Sequence, residues 1–219
     1  MKDPYKRFSG WYDTIFEPLN SGLRAIGTKM FPPQPGMKVL DIGCGTGAHL
    51  KLYQKAGCEV YGIDTSPSMF EQAKQKLGEE AYLHFGDASK MPYDDNLFDL
   101  ITTSTVLHEM PPEVRSNVLD EAKRVLKENG HILLIDFHIG PFKPLKGWFY
   151  KSIITIAEIS AGREHFKNYR QFMRTGGLAT LIEKHGLSVA KEKILSGGNM
   201  VIYLLRYSER NPKAGREEP

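Results

Sequence analysis

Three regularly spaced acids, and the glycines beside the first, carry the most legible chemistry in this chain. Asp41-Ile42-Gly43-Cys44-Gly45-Thr46-Gly47 follows a short apolar run and opens a helical pattern. Glycines in such a loop adopt positive φ and let a ligand approach the backbone. The helix start behind them offers unpaired N–H groups. Asp64 stands 23 residues after Asp41, and Asp87 a further 23 after Asp64. A carboxylate in the second position can accept from both hydroxyls of a ribose. One in the third, within Gly86-Asp87-Ala88, can accept from the exocyclic amine of an adenine. Singly, each acid reads as a cap or turn residue. Together they point to an adenosine-containing ligand at the carboxyl edge of a parallel sheet, where open α/β sheets bind ligands.

The elements that must position these residues alternate. Met37 to Ile42, Glu59 to Asp64, Ala81 to Phe85, Phe98 to Ser104 and His131 to Phe137 read as strands. Residues 47–56, Pro67 to Leu77 and Pro112 to Leu126 read as helices, with Ser66 and Pro67 a good cap and first-turn pair. Such alternation predicts a Rossmann-like α/β fold, a seven-stranded and mostly parallel sheet with helices on both faces. A helix closing at His185 is followed by Leu187 to Leu195, a Gly197-Gly198 turn and Met200 to Tyr207, a C-terminal antiparallel hairpin. One domain spans 1–219. It has an N-terminal helical cap (1–36, one or two short helices), a ligand-binding core (37–137), an inserted lid (138–175), the last helix and hairpin (176–207) and a polar tail (208–219).

Two ligands compete for the glycine loop. Gly43, Gly45 and Ala48 fit a loose dinucleotide fingerprint, which would make the chain a nicotinamide-dependent oxidoreductase. Asp41 would repel a pyrophosphate but attract an ammonium group, and the closing hairpin does not suit a dinucleotide fold. At this point a resemblance emerges. Val39 to Gly47 resembles the first motif of class I S-adenosylmethionine-dependent methyltransferases, and Gly62 to Met69 the second. Gly86-Asp87-Ala88 with Met91-Pro92-Tyr93 resembles the third. Phe98-Asp99-Leu100-Ile101, Leu107-His108-Glu109-Met110 and Leu126 to His131 resemble the later ones. The match runs from about 37 to 137 and is most similar to the ubiquinone/menaquinone-biosynthesis-type (methyltransferase type 11-like) enzymes. That group's Leu-His-His reads Leu107-His108-Glu109 here.

The resemblance implies S-adenosylmethionine as cofactor, S-adenosylhomocysteine as product, and a role for each matching residue. Gly43, Gly45 and Gly47 would shape the loop around the methionine part, with Cys44 offering only backbone. Asp41 would help hold the ammonium, and Asp64, followed by Thr65, the ribose. Met69 would pack near the adenine, Gly86, Asp87 and Ala88 would read it, and Ser104 would lie under the methionine. Tyr12, in Tyr12-Asp13, resembles a pair that reaches the cofactor. A non-catalytic cofactor-binding regulator is a further alternative.

A sulfonium methyl is already electrophilic, so in-line alignment of the acceptor is the main catalytic task. His108 reads equally as a base or acceptor-positioning group and as a packing histidine. His138 reads first as packing and second as acceptor-side. Asp136, His138 and His165 lack metal-ligand spacing, and no metal site is expected. In the lid, Trp148, Phe149, Ile153, Ile156 and Ile159 form an apolar face. It is expected to pack over the sheet, with pocket lining or peripheral membrane contact as alternatives. Arg163, Lys167, Arg170 and Arg174 share one helical face, and Phe166, Tyr169 and Met173 another. Arg170 or Arg174 could meet an anionic group on the acceptor, against a bland solvated face.

Composition sets the outer limits. The 219 residues carry 29 Lys+Arg against 26 Asp+Glu, a net +3 that does not suggest nucleic acid as partner. Residues 137–175 hold seven of the basic side chains and only two acids, so the rest of the chain is slightly acidic. The positive excess lies in the segment assigned to the acceptor, which is expected to be a small, largely apolar molecule. Two cysteines outside any CxxC pair, and no signal or membrane-spanning segment, predict a cytoplasmic protein with free thiols, monomeric or a homodimer.

Overall fold

The computed structural model describes residues 17–207, with side chains from Asn20 onward. Tyr12 lies outside the described residues. Seven strands form one sheet: β1 (Lys38–Ile42), β2 (Glu59–Asp64), β3 (Tyr82–Phe85), β4 (Phe98–Ser104), β5 (Leu126–Phe137), β6 (Leu187–Leu195) and β7 (Met200–Tyr207). Their order is β3-β2-β1-β4-β5-β7-β6. All pairs through β5 are parallel, and β7 runs antiparallel to both β5 and β6. The expected sheet and its antiparallel finish are therefore present.

The helices are α1 (Glu17–Met30), α2 (Ala48–Lys55), α3 (Pro67–Leu77), α4 (Pro112–Val125), α5 (Lys146–Ser160), α6 (Arg163–Arg174) and α7 (Gly177–Lys184). Central strands bury both faces, as their continuous apolar runs require. Val39, Leu40, Leu100, Ile101, Leu133 and Leu134 are fully enclosed. Ser66 caps α3 by accepting from the Met69 N–H, with Pro67 at the first turn. Cys44 and Cys58 are free and buried.

Two local expectations are corrected. The strand expected at His131 begins at Leu126, directly where α4 ends. Its register with β4 jumps between the Phe98↔Leu126 and Leu100↔His131 pairs, so the residues between are accommodated as an irregularity. The larger correction concerns α5. The face expected to pack over the sheet is turned outward: Trp148 is 62% exposed, Phe149 65% and Ile156 66%. Gly147, Ile154 and Glu158 are buried instead.

The cause is polar. At one end, the Gly147 carbonyl accepts from Asn199 Nδ2 at 2.8 Å, and the Lys143 N–H donates to Gly197 O. A Cβ on Gly147 would stand 2.6 Å from Gly197 O, so only glycine lets these backbones meet. At the other end, Glu158 is drawn into a cluster of histidines. An unpaired buried carboxylate costs more than an exposed isoleucine, so the charged residue decides which face of α5 turns in.

Candidate active site

Strand order reverses between β1 and β4, parallel neighbours at the centre of the sheet, and the loops after both strands rise beside that switch point. Gly43, Gly45 and Gly47 have φ of 67°, 54° and 74°. The Gly43 and Cys44 N–H groups donate to Ile63 O at 2.9 and 3.2 Å, curling the loop over the end of β2. Asp64 closes it. One carboxylate oxygen accepts from the Gly45 N–H and the other from the Ser66 N–H, each at 2.8 Å. Burial pushes the Asp64 carboxyl above its ordinary range, although these N–H groups oppose the shift.

Beneath the loop, Asp41 is buried and accepts from Thr102 Oγ1 at 2.6 Å. His49, read from sequence as structural, stands 3.8 Å from the same carboxylate. Asp87 is exposed and accepts from the Ser89 N–H, while Met69 and Ala88 are buried nearby in sequence order around the β3 end. Thr65 is exposed and Gly86 half-buried. Burial, with Asp64 and Asp41, raises the Cys44 thiol far above its usual pKa, so it is no thiolate nucleophile.

Two features leave room and hydrogen-bonding capacity beside this loop. A Cβ on Gly45 would meet open space, whereas one on Gly43 would strike Val106 at 2.6 Å. Ser104 Oγ is buried without a hydrogen-bond partner at the end of β4, one residue beyond the Ile42↔Thr103 pair and so level with Gly43. Next to it Thr105 holds φ 55°, a strained value for a β-branched residue. Such strain gathers where function constrains the backbone.

The strained step leads through Val106 into a short turn, Leu107–Glu109. His108 on this turn is 2% exposed. Its Nδ1 lies 2.7 Å from Asp136 Oδ1 at the end of β5, and its backbone N–H donates to Asp136 Oδ2. Its Nε2 faces Glu158 of α5 at 3.6 Å and Glu109 at 3.9 Å. His165 of α6 joins through Nε2, 2.8 Å from Glu158 Oε2. Phe137, Tyr169 and Phe172 wall the ring. Burial opposes charge on His108, but Asp136 and Glu158 outweigh it and raise its pKa well above the usual value. Burial likewise opposes charge on Glu158, yet His108 and His165 hold it at about 2.

Other expected residues stay apart from this cluster. His138 is tied to Gly198 O at 2.9 Å and braces the hairpin turn. Trp148 stands outward on α5 against Phe142. Arg170 and Arg174 are exposed on the side of α6 opposite Tyr169 and Phe172. With Arg163, Phe166 and Lys167 they line an open groove of about 480 Å³. Of the acceptor-side candidates, only Tyr169 reaches His108.

Three participants were missed from sequence. In sequence Glu158 reads only as one of two acids in a basic segment, and His165 only beside Asp136 and His138, as a set without metal-ligand spacing. Arg115, on α4, is 2% exposed. Its guanidinium donates to Leu107 O and Met110 O at 2.6 and 2.7 Å and stacks over Phe172. It fastens the His108 turn by both ends. The one sequence signal was position: Arg115 lies seven residues after His108, one turn into the next helix.

The comparisons with known proteins agree with this geometry. Residues 40–134 match the methyltransferase domain family. An uncharacterized methyltransferase of Synechocystis sp. is 30% identical over 172 residues, 78% of this chain and 76% of that protein. A demethylmenaquinone methyltransferase of Beutenbergia cavernae is 28% identical, covering 84% and 79%. Among solved structures, the PH0226 protein of Pyrococcus horikoshii superposes with a TM-score of 0.69 at 20% identity, covering 95% of this chain and all of that one. A Burkholderia thailandensis 1,6-didemethyltoxoflavin-N1-methyltransferase, solved with S-adenosylhomocysteine, does so at 0.61 and 17%, covering 86% and 77%.

Gly45→Ala should keep the fold, losing about 1–2 kcal/mol for its positive φ, but bind S-adenosylhomocysteine at least about tenfold more weakly. Gly43→Ala should lower Tm more, because its methyl meets Val106; calorimetry of both variants checks the contrast. Asp64→Asn should weaken binding about ten- to hundredfold, the worth of hydrogen bonds to a charged acceptor. Wild-type affinity should fall on acidification earlier than an unshifted aspartate would allow, because burial raises the Asp64 carboxyl and it protonates sooner. A carboxyl whose pKa is raised by folding favours the folded chain on protonation. Titration calorimetry should therefore show the affinity loss before acid unfolding begins. The chain belongs to the S-adenosylmethionine-dependent methyltransferases.

Proposed function

We propose that the enzyme methylates a small, largely apolar acceptor held between the glycine loop and the His108 turn. The observation that carries this is the contact of Gly43 with Val106. It sets the methyl-donor cradle directly against the turn that presents His108, Glu109 and the aromatic wall. When bound, S-adenosylmethionine supplies a methyl carbon that is already electrophilic.

The chain's own residues then bind, orient and exclude water. Asp64 accepts from the ribose hydroxyls. Gly86, Asp87 and Ala88 read the adenine edge and Met69 packs near it. Gly45 and Gly47 let the backbone approach the methionine part, and Ser104 Oγ supplies its unused hydrogen-bonding capacity there. Asp41 serves the ammonium through water or backbone. His108 acts as a positioning group: one ring nitrogen is committed to Asp136, and carboxylates surround the other. In-line transfer then depends on proximity and orientation.

The nature of the acceptor is supported by Phe137, Tyr169 and Phe172 around His108. It is also supported by relatives named for demethylmenaquinone and for ubiquinone/menaquinone biosynthesis. S-adenosylhomocysteine, and not NAD or NADP, should raise Tm, since a ligand that binds only the folded state stabilises it. With labelled cofactor, apolar phenols and quinols should accept methyl. Label transferred only to polar metabolites would defeat the reading.

The outward face of α5 suits a route for such an acceptor. Trp148, Phe149, Ile153, Ile156 and Ile159 lie together on it, beside Lys146 at the helix start. No helix among the described residues is long and apolar enough to cross a membrane. An amphipathic helix of this kind rests on a lipid surface instead. Trp148→Glu with Ile156→Glu should abolish co-sedimentation with anionic vesicles while S-adenosylhomocysteine affinity stays unchanged. Equal sedimentation of the variant would refute the lipid contact.

A further inference from the structure

The cluster around His108 holds more negative charge than positioning requires. Three carboxylates, from Asp136, Glu158 and Glu109, converge on two imidazoles in a mostly buried space. The side chains of the turn after β4, of α5 and of α6 thus bring imidazole nitrogens and carboxylate oxygens to one place.

We propose that His108, Glu158 and His165 form a binding site for one divalent transition ion. One nitrogen or oxygen from each lies within 4.8 Å of the others. His108 Nε2 and Glu158 Oε1 are 3.6 Å apart, too far for a hydrogen bond. Two donors sharing a tetrahedral ion at about 2.1 Å stand about 3.4 Å apart. Asp136 holds the Nδ1 side of the His108 ring at 2.7 Å, which leaves Nε2 as the nitrogen an ion would take in place of its proton. A carboxylate behind a ligating histidine is the usual outer support of a metal site. Glu109 stands 3.9 Å from both His108 Nε2 and His165 Nδ1, at the more open side of the cluster.

The donor set identifies the class of ion. Two imidazoles and a carboxylate suit zinc or ferrous iron, not magnesium or calcium, which prefer all-oxygen sites. Three protein ligands leave a position open, as in catalytic zinc sites. The ligands come from the turn after β4, from α5 and from α6. One ion would therefore pin both helices of the 138–175 segment to the sheet. Binding of the ion stands independently of methyl transfer. Its use as a Lewis acid on an acceptor oxygen rests on the function proposed above, and would ease loss of the acceptor's proton.

The test uses the full chain, stripped with a chelator and titrated with Zn²⁺ by calorimetry and Co²⁺ by visible absorption. The expected result is one ion per chain, a higher Tm, and cobalt d–d bands. His165→Ala, a change at the more exposed end of the cluster, should weaken Zn²⁺ binding at least about tenfold and remove the bands. Glu158→Gln should do the same. His185→Ala, remote from the cluster beside Asp120, should bind as wild type. Substoichiometric wild-type binding without a Tm rise would overturn the site, and so would undiminished binding in His165→Ala. S-adenosylhomocysteine affinity of the stripped protein is measured alongside. Its loss would count against the cofactor cradle, and its retention with no zinc bound would count against the ion alone.

Discussion

The close approach of Gly43 to Val106 is the constraint on which the site depends. A side chain at position 43 would meet the valine at 2.6 Å. The absence of one lets the loop after β1 and the extension of β4 share the crevice where the strand order reverses. The glycine loop, braced by Asp64, faces one side of this contact. On the other side the chain passes the strained Thr105 and delivers His108 three residues later. The glycine loop and the His108 turn are thus coupled through one close approach, so a shift in either element displaces the other.

A second, polar constraint organises the outer layer. Asp136 ends β5 and accepts from the His108 ring, the His108 N–H and the Phe137 N–H. A buried carboxylate demands such partners. The histidine it orients draws Glu158 inward, and Glu158 in turn sets the rotation of α5. The apolar residues of that helix are left outside as a consequence. An exposed apolar surface and an internal charge cluster are therefore two sides of one helix, not separate features.

This division explains what could be read in the sequence. The sheet was legible because strand and helix periodicities are local, and turn residues punctuate them. Gly43, Gly45, Gly47 and Asp64 were legible because a ligand that spans adjacent strand ends imposes fixed spacing on the chain. Glu158 and His165 were not: they lie 50 and 57 residues after His108, on helices whose approach is set by tertiary packing. The periodicity of α5 misled for a physical reason. Hydrophobic patterning assumes that the apolar face turns inward, and here a buried ion pair overrides it. Arg115 was hidden for a similar cause, since carbonyl oxygens rather than an acid satisfy its charge.

Donor and acceptor must meet across the Gly43–Val106 contact if this account holds. The most direct measurement is a crystal structure with S-adenosylhomocysteine bound. The account predicts a ribose on Asp64 and a sulfur opening toward the space bounded by His108 and Tyr169. A ligand seated elsewhere, or a sulfur turned away from His108, would contradict it.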